Sequence, residues 1–199
     1  MTLRVLVVCT GNIARSPLAE RLLRARFAAA GVDAVVSSAG TGAMVGHAMT
    51  PEAAELAVRF GADPSDHAAR QLTAGMLDEA DLVLTASKSH RAEVASLLPK
   101  AVRKSYTMRE FARIAEFVTN DPSADVAPLP GEAPLPLLEA VSMSRGFAPP
   151  PETPEEDNVV DPYRRPAEVY EEAGRLIDAA TASIVAAVGA TERAGRGPA

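Results

Sequence analysis

Arg4-Val5-Leu6-Val7-Val8-Cys9-Thr10-Gly11-Asn12-Ile13-Ala14-Arg15-Ser16-Pro17 carries the strongest structural signal in the chain. Arg4 to Val8 is a short, nearly continuous apolar run, the pattern of a buried strand in a parallel sheet. Gly11 and Asn12 break it, and both tolerate left-handed backbone geometry. Pro17 suits the first turn of a helix, where its missing N–H leaves nothing unpaired. That helix is predicted to reach about Ala30, with Leu18, Leu22 and Ala25 on one face and Gly31 as its stop.

Outward from this segment, strands and helices alternate. Val35-Val36-Ser37-Ser38 predicts a second strand, ended by Gly40. Thr50 and Pro51 predict a helix start, with the helix reaching Phe60 and ending at Gly61. Thr73 caps a short helix before Ala80; Leu82-Val83-Leu84 predicts a third strand and Lys88 to Leu98 another helix. Val102 to Tyr106 predicts a fourth strand, followed by a helix from about Arg109 to Phe117. Val169, Ala173, Leu176, Ile177, Ala180 and Ile184 give Glu168 to Val188 the spacing of a long amphipathic helix. Strands alternating with helices argue for an α/β fold with a parallel sheet.

The 199 residues are 47% hydrophobic, which suits one domain over about 1–190. With no Trp and 4% aromatics, the core must be built from Ala, Val, Leu and Ile. Cys9 is the only cysteine, so no intrachain disulfide can form and a reducing compartment, the cytoplasm, is expected. Met1-Thr2-Leu3-Arg4-Val5 does not read as a signal peptide, and no run reads as long enough to span a membrane. The net charge is −6, and Glu116 to Asp157, with nine acidic residues against Arg145, accounts for all of it, since the remainder is slightly positive. No basic stripe suggests a nucleic-acid surface. Nine of the 16 prolines lie between Asp121 and Asp157. An acidic, Pro-rich insertion is therefore expected at about 118–157, irregular or mobile apart from one short helix at Leu137 to Arg145. Residues 191–199 read as a flexible tail.

Cys9 falls at the carboxyl end of the first strand, where open parallel sheets bind ligands. A loop entering a helix N-terminus presents unpaired N–H groups and a favourable dipole, which together suit an anion. Arg15 adds a planar fork matching two phosphate oxygens. A helix N-terminus and a nearby cation favour the thiolate, the nucleophilic form of a cysteine, and Ser16 can donate a hydrogen bond to it. A cysteine at a strand end is by itself as consistent with an inert buried thiol. The full context of strand, Cys, Gly-Asn, Arg-Ser-Pro and helix points to attack on a phosphate ester. Asp161, in Val159-Val160-Asp161-Pro162-Tyr163, is the candidate proton donor to the leaving group.

These residues resemble the low-molecular-weight protein tyrosine phosphatases. The resemblance rests on Val8 to Pro17 and on Asp161-Pro162-Tyr163, supported by Ser38-Ala39-Gly40-Thr41 and His67-Ala68-Ala69-Arg70-Gln71-Leu72. It implies a four-stranded parallel sheet with helices on both faces. It also implies Cys9 as nucleophile, Arg15 as phosphate binder and Asp161 as general acid, then base. Thr10, Gly11, Asn12, Ile13, Ala14 and Ser16 would bind phosphate or order the loop, and Tyr163 would line the substrate cleft. Ile13 favours a planar phenyl ring. The implied substrate is a phosphotyrosine protein, a tyrosine kinase among the candidates, with phosphate as product. No cofactor or metal is implied, and a monomer is expected.

Four positions depart from the family pattern. Its second loop cysteine is Ala14, so a protective disulfide with Cys9 is absent. Its aromatic cleft wall falls at Ala43 and Met44, and an Asp near the third strand falls at Ser87. His47, His67 and His90 read as packed structural residues, with His67 beneath the loop. The Pro-rich segment reads as a solvated insertion, with a lid or partner arm as the sharper reading. Two other functions stay open: arsenate reduction with an external thiol, and a phosphoprotein-binding module with little turnover.

Overall fold

Strand β1 (Leu3–Cys9) is the spine of the molecule. It pairs in parallel with β2 (Ala34–Gly40), from Leu3 opposite Ala34 to Cys9 opposite Gly40, and on its other side with β3 (Leu82–Thr85). β4 (Ser105–Thr107) joins β3, giving the order β2-β1-β3-β4. The computed structural model describes residues 2–120 and 135–195.

The two-residue period of β1 divides its side chains between two cores. Leu3, Val5 and Val7 pack with α1 (Arg15–Ala30), α2 (Pro51–Arg59), α5 (Met108–Asn120), α6 (Leu135–Ser144) and α7 (Ala167–Gly195). Leu6 and Val8 pack on the other face, with α3 (Ala74–Glu79) and α4 (Lys88–Leu97). Helices thus cover both faces, as expected. The chain leaves β1 toward β2, then crosses back to β3 on the opposite side. The carboxyl end of β1, where Cys9 lies, is therefore the topological switch point.

Helix ends follow the local chemistry. Gly31 takes φ 67 and closes α1, while Thr50 and Thr73 accept the N–H of Ala53 and Met76 to cap α2 and α3. The fourth strand lies later than the sequence suggests. Pro99 opens a 3₁₀ turn that runs to Lys104, so Val102 does not extend and the strand begins at Ser105.

The acidic segment also differs from its composition. Val118 to Asn120 belong to α5, and the predicted short helix begins at Leu135. Leu137 and Val141, one turn apart on α6, are buried, as is Ala148. The Arg145 guanidinium stacks 3.7 Å over the Tyr106 ring and bonds Glu110 at 3.1 Å. Asp157 is buried against Arg113 and Lys88. Residues 121–134 of the expected irregular stretch lie outside the described residues.

The expected tail is helical as far as Gly195, and residues 196–199 lie outside the described residues. The expectation of no membrane-length run also needs correction. Ala167–Thr191 is long and apolar enough to cross a membrane. Here its apolar stripe, including Tyr170, Ala173, Ile177 and Ile184, is buried in the core shared with α1 and α5.

Candidate active site

Between β1 and α1 the backbone wraps into a shallow cup. The carbonyls of Cys9, Thr10, Gly11 and Ile13 accept N–H bonds from Thr41, Gly42, Met44 and Thr50 at 2.8–3.1 Å. The carbonyl of Asn12 accepts from His67 Nε2 at 2.7 Å, the place beneath the loop expected for that histidine. Five consecutive carbonyls are thus held outward. Trans peptide geometry turns the N–H groups of Thr10 through Ala14 the other way, into the cup. Asn12 makes this curvature possible at φ 56. Gly40 is required beside it, because a Cβ there would lie 2.3 Å from the Thr10 carbonyl oxygen. The N-terminus of α1 has no side-chain cap and no acidic residue in its first turn, so its dipole faces the cup unopposed.

A chain of hydrogen bonds runs below the loop, and its direction can be worked out. The Glu20 carboxylate only accepts, so Ser38 donates to it and accepts from the Asn12 amide at 2.8 Å. The same amide donates to Ser16 Oγ at 2.9 Å, while its oxygen takes the Arg70 N–H. Ser16 therefore has its own hydrogen free for Cys9 Sγ, 2.9 Å away. Cys9, Asn12 and Ser16 are all buried. Asn12 and Ser16 thus sit behind the cup and order it, whereas Thr10, Gly11, Ile13 and Ala14 line it.

The late motif arrives from the far end of the chain. Val159 N–H bonds the carbonyl of Ala86, just past the carboxyl end of β3, at 2.8 Å, which carries the next residues over the loop. Asp161 then reaches Arg15, with Oδ2 2.9 Å from the guanidinium. Its Oδ1 accepts the Tyr163 N–H, which turns the chain. Cys9, Arg15, Asp161 and Tyr163 share one cleft of about 170 Å³. Met44 lines it, as expected, but Ala43 does not. Ala43 gives its N–H to Gln71 and packs on Gly40, and Gly42 takes its place in the cleft wall.

His90 is a further neighbour of the loop. Its Nε2 lies 2.8 Å from Thr10 Oγ1 and its Nδ1 2.6 Å from Ser87 Oγ. Burial, then the charge of Arg15, pushes its pKa down from 6.5 to about 4, so the ring is neutral at physiological pH. His67 is also lowered, by burial first and against the pull of its bond to Asn12. Neither Gly42 nor His90 carried a local signal, since each meets the loop from a distant segment.

The sequence that builds the cup, residues 4–125, matches the model of the low molecular weight phosphotyrosine protein phosphatases. The chain belongs to this family. A protein of Ralstonia solanacearum, EpsP, described as a probable low molecular weight protein-tyrosine-phosphatase, is 37% identical over 118 residues, 59% of this chain and 77% of its own. The low molecular weight protein-tyrosine-phosphatase Etp of Escherichia coli K12 is 44% identical over 101 residues, 51% of this chain and 66% of that one. Among solved structures, a low molecular weight protein tyrosine phosphatase from T. tengcongensis superimposes with a TM-score of 0.66 at 30% identity, covering 92% of this chain and 98% of that one.

Proposed function

We propose that this protein hydrolyses phosphotyrosine in proteins through a phosphocysteine on Cys9. The observation that carries the reading is the convergence of Cys9 Sγ, Arg15 and Asp161 on a cup whose N–H groups all turn inward. In the first step the Cys9 sulfur attacks phosphorus in line and the phosphorus–oxygen bond to the tyrosine breaks. Asp161 gives its proton to the departing phenolate oxygen. In the second step Asp161 takes a proton from water, whose oxygen attacks phosphorus and releases Cys9 and inorganic phosphate. Arg15 and the loop amides hold the equatorial oxygens in both steps. A phosphate in the cup competes with Asp161 for Arg15, so substrate entry frees the carboxyl to meet the leaving oxygen.

The names of EpsP and Etp support a phosphotyrosine substrate. So does the cleft, where Ile13, Met44 and Tyr163 offer apolar surface to a flat ring. One chain supplies every residue of the mechanism, which suits a monomer. A lone cysteine that must stay reduced suits the cytoplasm.

The test is hydrolysis of an aryl phosphate and of phosphotyrosine peptides by wild type and Cys9→Ser. Wild type should turn over both, and the variant should lose at least about 10⁴-fold in kcat. Asp161→Ala should retain a phosphotyrosine protein from lysate. A wild type that binds phosphopeptide and hydrolyses nothing would overturn the reading.

A further inference from the structure

The Thr10 hydroxyl makes a polar contact that takes no part in the two displacement steps. Thr10 is exposed and lines the cleft, yet its hydroxyl is tied to a side chain eighty residues away. That partner, His90, is 3% exposed and has both ring nitrogens engaged. Ser87, on its other side, caps α4 by accepting the His90 N–H at 3.4 Å and also meets Ser89 Oγ at 2.7 Å. The ring is therefore clamped at the start of a helix and aimed at the loop.

We propose that His90 is a positioning residue for the reaction: it holds the Thr10 side chain, and through it the first peptide of the phosphate cup, in the alignment that the transferring phosphoryl group needs. The proposal rests on the phosphatase reading above.

Thr10 immediately follows the nucleophile. Its carbonyl is pinned on the β2 side by the Gly42 N–H at 3.1 Å, with Gly40 in close approach. Its side chain is pinned on the β3 side by His90. Two anchors on opposite sides fix the tilt of the residue, whereas one would leave it free to rock. The Thr10 N–H is the first donor of the cup. Donors of this kind act on charge that develops in the transition state, so their misalignment lowers kcat more than it raises KM. The ring must also be neutral to serve. It then offers one donor and one acceptor, which suits a hydroxyl on each side. The charged groups that bear on it are Arg15 from α1, Glu93 from its own helix and Asp161 from the late loop.

Two substitutions separate the ring's two contacts. In His90→Asn the amide nitrogen stands near the place of Nδ1 and can reach Ser87 but not Thr10. In His90→Gln it stands near Nε2 and can reach Thr10. His90→Asn and Thr10→Val should each lower kcat on an aryl phosphate about tenfold, the scale of one hydrogen bond, with KM within about twofold. The double variant should be no worse than either single one. His90→Gln and Thr10→Ser should recover most of the loss. Thr10→Val alters an exposed side chain of equal size, so it remains readable if His90→Asn fails to fold.

Wild-type kcat in both His90→Asn and Thr10→Val would overturn the proposal. So would additive losses, or a His90→Gln variant as damaged as His90→Asn. Protection of Cys9 from iodoacetamide by vanadate, whose bipyramid resembles the transferring phosphoryl group, provides a readout independent of turnover. His90→Asn should need about tenfold more vanadate for half-protection, and His90→Gln should not. If wild type hydrolyses no aryl phosphate, the phosphatase reading falls, and equal protection of wild type and His90→Asn would remove the positioning role separately.

Discussion

The two halves of the site are built in opposite ways. The loop from Cys9 to Arg15 is buried except at Thr10 and Gly11, and each of its first five carbonyls has a partner outside it. Asp161, which completes the site, has a side chain 56% exposed and is held by an ion pair and a turn. The chemistry accounts for the contrast. The cup must stabilise charge that appears for an instant, so its dipoles must already be in place. In the proposed mechanism the carboxyl serves a leaving oxygen and then a water, and a group fixed to one partner could not do both. Rigidity is concentrated where charge develops, and freedom where a proton changes hands.

The sharpest test of this contrast is at Asp161. Asp161→Asn should lower kcat on a phenyl phosphate about 10²- to 10⁴-fold, the usual worth of a positioned general acid. Its stability should stay within about 0.5 kcal/mol of wild type, because the side chain is exposed and Asn keeps an oxygen for Arg15. The loss should shrink as the leaving phenol becomes more acidic and needs less help. A fall in melting temperature comparable to that of a loop variant would break the comparison.

Asn12 should behave in the reverse way. Asn12→Ala removes both donors and the acceptor of a fully buried amide, orphaning the Arg70 N–H and loosening Ser16 and Ser38. It also puts a residue with no local hydrogen-bonding capacity at φ 56. Stability should fall by about 3 kcal/mol in denaturant titration. Activity should fall with it, through loss of the path that gives Cys9 its Ser16 donor. Full stability with reduced activity would show that the loop holds its shape without this network.

What could be read from the sequence follows the same division. The cup is encoded within a few residues: an apolar strand, two residues tolerant of left-handed geometry, an arginine and a helix start. Each of these is a local signal. The late Asp161 was legible because Pro162 and Tyr163 made it a motif. Contacts brought by distant segments were not legible. His90 meets Thr10 across eighty residues of chain, Gly42 enters the cleft wall because Ala43 turns to Gln71, and no periodicity marks either event. Average composition hid the burial of Leu137, Val141 and Ala148 within an acidic, Pro-rich stretch. The fourth strand begins later than its apolar residues suggest, because Pro99 starts a 3₁₀ turn that takes in Val102.

The smallest expected effect concerns acid, and it refines the account of the cup's rigidity. His67 bonds the Asn12 carbonyl and His90 the Thr10 hydroxyl, and both are held below the ordinary histidine pKa of 6.5, chiefly by burial. Above 6.5 both rings are neutral whether the chain is folded or not, and pH does nothing through them. As pH falls below 6.5 the unfolded chain takes up protons that the folded one refuses, so stability declines. For His90 the decline ends near pH 4, where the folded ring also charges. Each histidine contributes a slope of at most about 1.4 kcal/mol per pH unit. Denaturant midpoints at pH 7.5 and pH 5 check this. Wild type should lose more stability between the two than His90→Gln, which has no ring to protonate. Equal losses would mean that the ring takes up its proton as readily in the fold as in the unfolded chain. The cup would then be rigid without the neutral ring that braces it beside Thr10.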